Sequence, residues 1–134
     1  MRYSDFPNET ELKRYTRAFN ARTRLLGRTV SLDVNTLRGV ILESSGMCGW
    51  CGVTLLKQDF EIDHIIALAD RGAHSAENLV VACPVCNRQK ASQAPLKFVL
   101  ALVAKHGHST PTIQRVLDYY GAEAKVQQAL FDEL

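Results

Sequence analysis

Apolar residues recur at helical spacing in both flanks of the chain and give way in the middle to short, turn-rich segments, a pattern that predicts helices around a small mixed core. Asn8, with Glu11 three residues on, is a start signal for a helix reaching about Leu26 and stopped by Gly27. Tyr15, Ala18, Phe19, Arg22 and Leu26 share its expected inward face, while Arg14, Arg17, Ala21 and Arg24 fall on another. That basic stripe fits a solvated surface and a phosphate contact equally well. Asp33 caps a second predicted helix, with Leu37, Val40, Ile41 and Leu42 inward, ended at Gly46.

From Met47 to Lys90 the pattern predicts two strands, Phe60 to Ile66 and Leu79 to Ala82, separated by a loop of Gly, Ala and Ser between Asp70 and Asn78. Helical spacing then returns. Pro95 opens a segment reaching His106 that is apolar on nearly every side and is expected to lie buried between neighbours. Pro111 opens another, with Ile113, Val116, Leu117 and Tyr120 on one face, and Ala122 to Leu134 reads as a last amphipathic helix. The expected class is α+β and mostly helical: one domain over 1–134, with N-terminal helices in 1–46, a compact core in 47–92 and C-terminal helices in 93–134. There is no internal repeat and no low-complexity tract.

Composition adds constraints. Hydrophobic residues at 46% and charged residues at 22% belong to a globular chain and exclude a disordered tail. Met1 to Lys13 is polar and lacks the apolar stretch of a signal peptide, and the run Phe98 to Ala104 is too short to span a bilayer, so the expected location is cytoplasmic, with no membrane partner. In that compartment four cysteines are better explained by a metal than by disulfides. The formal charge of +2 falls near zero if four thiolates hold one Zn²⁺, so net charge does not announce a nucleic acid. Its distribution is more informative, because seven of the 16 basic residues lie between Met1 and Arg28, against three acids.

The cysteines form two CxxC pairs, Cys48-Gly-Trp-Cys51 and Cys83-Pro-Val-Cys86, separated by 31 residues. Each pair presents two thiolates from one tight knuckle, and two knuckles complete the tetrahedron of a structural Zn²⁺. A thioredoxin-like redox role needs one pair near a βαβ unit, so the second pair argues against it. The expected zinc site is closed and does no chemistry; it stabilises the core and fixes a helix starting near Asn87. Trp50 is expected as a lid over the metal or a core anchor rather than a DNA contact.

Between the knuckles stands Glu61-Ile62-Asp63-His64-Ile65-Ile66, an acid and an imidazole inside an apolar strand, followed by Glu77-Asn78-Leu79 and by Asn87-Arg88-Gln89-Lys90 directly after the last cysteine. In this order and with these bracketing cysteines, the stretch from Cys48 to about Lys90, roughly a third of the chain, resembles the HNH endonuclease family. The resemblance implies a ββα-metal, treble-clef-like core around one catalytic cation. It implies His64 as general base, Asp63 and Asn87 as ligands of a catalytic divalent ion, and Asn78 as a brace that orients the base. The third motif position is often His in the family; here it is Asn87, as in a known subset.

The chemistry agrees with those roles. Imidazole suits proton abstraction near neutrality, and a hard cation neutralises charge growing on a phosphate. Asp and Asn oxygens favour Mg²⁺ or Mn²⁺. Asn78 is equally an ordinary turn residue. Adjacent strand side chains point to opposite faces, so for Asp63 and His64 to share a centre the strand must twist, bulge or end there. Arg88 and Lys90, with Arg14, Arg17 and Arg24, are candidate DNA phosphate contacts. His74 is expected as a loop residue, and His106 and His108 as helix-end residues rather than a third metal site.

Together these features predict a DNA endonuclease acting on duplex DNA. A catalytically silent treble-clef zinc module binding DNA or protein is the rival, and an RNA or single-strand nuclease a third reading. The apolar C-terminal helices either support a homodimer or complete the monomer's own core.

Overall fold

The computed structural model describes residues 1–2, 8–28 and 30–132. Helices α1 (Glu9–Leu25) and α2 (Val34–Glu43) precede a hairpin of β1 (Glu61–His64) and β2 (Leu79–Ala82), and α3 (Pro84–Lys90), α4 (Pro95–His106) and α5 (Pro111–Asp132) follow. The class is α+β, as the sequence predicts. Among the described residues no helix is long and apolar enough to cross a membrane.

Local chemistry sets most of the boundaries. The Asn8 side chain accepts the Glu11 N–H at 3.1 Å and starts α1, but the Glu11 carboxylate turns outward to Arg14 rather than closing a capping box. The Asp33 carboxylate accepts the Thr36 N–H at 2.8 Å at the start of α2. Gly107, at φ 71°, ends α4 in the left-handed conformation that glycine tolerates best.

The two strands pair antiparallel with Ile62 opposite Val81 and His64 opposite Leu79. The α3 helix packs on both strands, α1 packs on α2, α2 reaches β2, and α4 lies against α5. Leu37 and Ile41 of α2, Trp50, Phe60, the β2 residues, Phe98 and Val99 of α4 and Ile113 of α5 make the shared core. Trp50 is the core anchor, meeting Phe98 edge to face at 5.3 Å.

Four sequence expectations are corrected. The buried face of α1 is Leu12, Thr16, Phe19, Asn20 and Thr23, so Ala18, Arg22 and Leu26 lie exposed; polar side chains bonded within the core displaced the apolar register. The α4 helix buries only the face carrying Phe98, Val99 and Leu102, while Leu100 is exposed. The helix expected to start near Asn87 starts at Pro84, because Cys83 already occupies the cap position and proline suits the first turn. The two segments after Pro111 form one helix running through Gly121, and the apolar face expected for Ala122 to Leu134 falls largely outside the described residues.

Leu37 has no exposed surface and Leu42, on the same helix, is 56% exposed. Leu37→Ala should therefore lower unfolding free energy by about 2–5 kcal/mol, and Leu42→Ala by less than about 0.5 kcal/mol, as measured by urea denaturation.

Candidate active site

The four cysteine sulfurs lie within 4.8 Å of one another, three of the residues buried and Cys51 partly so. Cys51 and Cys83 sulfurs are 3.8 Å apart, far beyond a disulfide bond and equal to the edge of a tetrahedron with Zn–S of about 2.3 Å. Backbone N–H groups of Cys83 and Cys86 point at the sulfurs of Cys48 and Cys83, at 3.3 and 3.4 Å. The Cys86 thiol donates to Cys48, which holds Cys48 down to about 5 and raises Cys86. Burial, with nearby thiol charge, pushes Cys51 up to about 11. Sulfurs this crowded do not all ionise without a cation among them, and the soft, closed donor set fits zinc.

Knuckle and hairpin are joined at Gly49, whose N–H donates to the Val81 carbonyl at 2.7 Å. A Cβ on Gly49 would sit 2.4 Å from the Val80 side chain, so this approach requires glycine. Cys83 caps α3, and α3 carries Asn87 one turn beyond the second knuckle.

Beside this centre lies a cleft of about 410 Å³ lined by β1, the Ala67–Ala69 segment, α3 and one side of α1. Asp63, His64 and Asn87 all line it, with Glu61, Phe19 and Arg22. The structure thus brings together three of the four residues expected to act in catalysis. The regular strand ends at His64, which lets neighbouring side chains reach one cavity.

Asp63 accepts its neighbour's backbone N–H at 2.8 Å through Oδ1, leaving Oδ2 for another partner. Its carboxyl is raised above the usual range by burial, against the lowering influence of Lys90, and Glu61 adds to the rise. The Asn87 amide makes no hydrogen bond among the described residues. One under-compensated carboxylate and one unengaged amide oxygen in the same cleft fit a hard divalent cation. Asn78 stays outside the cleft: its amide accepts from Ile66 N–H at 2.8 Å and donates to the carbonyls of Ile66 and Ala73 at 2.9 and 2.8 Å, bracing the loop.

His64 is buried, stacked on Phe19 with ring centroids 5.3 Å apart, and its Nε2 lies 3.0 Å from Nδ1 of His74. His74, expected as an ordinary loop residue, is a buried partner of the expected base, with Nε2 3.1 Å from Asn20 Oδ1. Its only trace in the sequence is an imidazole in the loop between the strands. Arg28 ties that loop to α1 through the carbonyls of Leu68 and Gly72 at 3.1 and 3.0 Å.

The expected phosphate contacts are largely elsewhere. Lys90 is fully buried, its ammonium 3.2 Å from the His64 carbonyl and 5.9 Å from the Trp50 ring centroid, so it is not a surface contact: the short helix turns it under the hairpin. Arg14 pairs with Glu11, Arg17 lies beside Lys13 and Val34, and neither they nor Arg24 and Arg88 line the cleft. Arg22, expected to face inward, does line it, with its guanidinium 5.8 Å from the Phe19 ring centroid. His108 bonds the Cys51 carbonyl at 3.2 Å and so clasps the first knuckle.

Residues 48–93, the stretch that holds both CxxC pairs, Asp63, His64, Asn78 and Asn87, match the HNH endonuclease family. The matched family is one of nucleases, which act on nucleic acid. No curated protein matches the chain.

Two outcomes follow. Removing metal with a chelator should abolish the cooperative unfolding transition, and Cys86→Ser should bind less than about one zinc per chain, measured by metal analysis and calorimetry. Burial, with the nearby His74 ring, holds His64 down to about 4 against an ordinary 6.5, and burial with Arg28 lowers His74. His64 stays neutral in the fold over a range where the unfolded chain takes up its proton, and His74 shifts in the same direction, so stability should fall as pH drops from about 6.5 toward 4. His64→Phe should flatten that slope in urea titrations across the same window.

Proposed function

We propose that this protein is a metal-dependent endonuclease that hydrolyses DNA phosphodiester bonds, nicking or cutting duplex DNA. The observation that carries the reading is the meeting of His64, Asp63 and Asn87 in one cleft beside a four-cysteine centre. A lone zinc module has no use for a buried imidazole, a carboxylate and an unengaged amide opening on the same space.

His64 takes a proton from the attacking water, whose oxygen forms the new bond to phosphorus as the bond to the 3′ oxygen breaks. Solvent protonates the departing oxygen, and His64 returns its proton to solvent. Asp63 and Asn87 would hold a divalent cation, Mg²⁺ or Mn²⁺, through their side-chain oxygens. When bound, that ion supplies Lewis-acid neutralisation of charge on the phosphate. Arg22 faces the same cleft and is placed to pair with a phosphate oxygen, whereas Arg24 and Arg88 serve flanking phosphates. One cleft per chain makes one cut, so a double-strand break takes a dimer or two visits.

Plasmid nicking with Mg²⁺ tests this reading. His64→Ala should slow cleavage about 10²- to 10⁴-fold while zinc content and circular dichroism stay unchanged. Equal cleavage by both proteins overturns the role of His64, and none by the parent favours the silent zinc module. Matched duplex, single-stranded and RNA substrates distinguish the nuclease classes.

A further inference from the structure

The hydrogen bonds behind His64 determine which of its nitrogens carries the proton. Asn20 donates from Nδ2 to the Leu32 carbonyl at 2.7 Å and accepts the Leu32 N–H on Oδ1 at 3.0 Å, which fixes the orientation of the amide. The oxygen facing His74 Nε2 at 3.1 Å is therefore an acceptor. Thr23 Oγ1 donates its hydrogen to the Asn20 carbonyl at 2.8 Å, so toward His74 Nε2, 3.4 Å away, it too accepts. With acceptors on both sides, Nε2 of His74 must bear the hydrogen, and neutral His74 has a bare Nδ1. That lone pair faces His64 Nε2 at 3.0 Å and requires a hydrogen there. The proton of neutral His64 is thus placed on Nε2. Its Nδ1 makes no hydrogen bond among the described residues, and it is not sealed from solvent as Trp50 Nε1 is.

We propose that His74, itself set by Asn20 and Thr23, is a positioning residue that locks His64 in the Nε2–H tautomer and leaves Nδ1 as the proton acceptor toward the cleft. This rests on the nuclease reading above. It extends the site to α1, since Asn20 and Thr23 lie outside the stretch that matches the HNH family. Phe19 of the same helix stacks on both imidazoles, with centroids 5.3 and 5.4 Å away, and keeps the two rings in register. The chain His64–His74–Asn20 does to a catalytic imidazole what a carboxylate does in other hydrolases: it selects the tautomer and the ring orientation.

Long-range proton–nitrogen NMR of the zinc-loaded full chain with Mg²⁺ reads the tautomer directly, beside kcat and KM for plasmid nicking. In the parent, His64 should show a protonated Nε2 and a bare Nδ1. His74→Phe keeps an aromatic ring against Phe19 but offers no acceptor; His64 should then populate both tautomers, with kcat lower by about 10- to 100-fold and KM little changed. His74→Asn restores an acceptor and should recover the parent tautomer and part of kcat. A parent that cleaves DNA but carries the His64 proton on Nδ1, or whose tautomer and kcat ignore His74→Phe, overturns the positioning role and leaves the nuclease reading standing. A parent that does not cleave overturns both.

Discussion

Convergence of the four thiols is the constraint on which the rest of the structure depends. Strands of four residues each bury too little to hold a hairpin in water, and β1 and β2 are no longer than that. The first knuckle docks on β2 through Gly49, and the second is continuous with the end of β2 and the start of α3. Drawing the knuckles together therefore clamps β2 between them and swings α3 across the hairpin. Asn87 reaches the cleft containing Asp63 because Cys86 precedes it in the same short helix, so the cysteine cluster sets the distance between those two side chains.

A second support comes from α1, which does more than cover the core. Its buried face carries Phe19, Asn20 and Thr23 where leucines would pack as well, and these three meet the imidazole pair. Tyr15 belongs to the same arrangement: its hydroxyl donates to Glu61 at 2.9 Å and accepts the Ile62 N–H at 2.8 Å, fixing β1 at the edge of the cleft. Buried polar groups of this kind are stable only when their partners are all present. The helix and the hairpin therefore specify one another's position.

That arrangement explains what could and could not be read from the residues. The two CxxC pairs, the Asp63-His64 step, Asn78, Asn87, both N-caps and the span of β2 are local signals, and local signals survive without knowledge of the fold. Hydrophobic spacing predicts the wrong face of α1 because it gives no weight to Thr16, Asn20 or Thr23, which are buried by hydrogen bonding rather than by apolarity. His74 reads as a loop residue because its partners, Thr23 and Asn20, lie 51 and 54 positions away. Lys90 looked like a phosphate contact because a lysine in a short basic helix is usually exposed.

The burial of Lys90 has a structural reason that ties the site together. A regular ladder would continue past His64 and carry its neighbours to alternate faces, but β1 stops there. The carbonyl of His64 is met by the Lys90 ammonium at 3.2 Å, and two residues on the Ile66 backbone is met by the Asn78 amide on both its N–H and its carbonyl. Side chains thus bond the backbone where the named strand has ended, so the chain can turn without leaving these polar groups unpaired. The lysine's burial lowers its own affinity for a proton, and the Asp63 and Asp70 charges oppose that fall. Lys90 and Asp63 each favour the charged form of the other against the burial that both undergo. Lys90 thus helps fix the turn after β1, and its charge opposes the upward pull of burial on the Asp63 carboxyl.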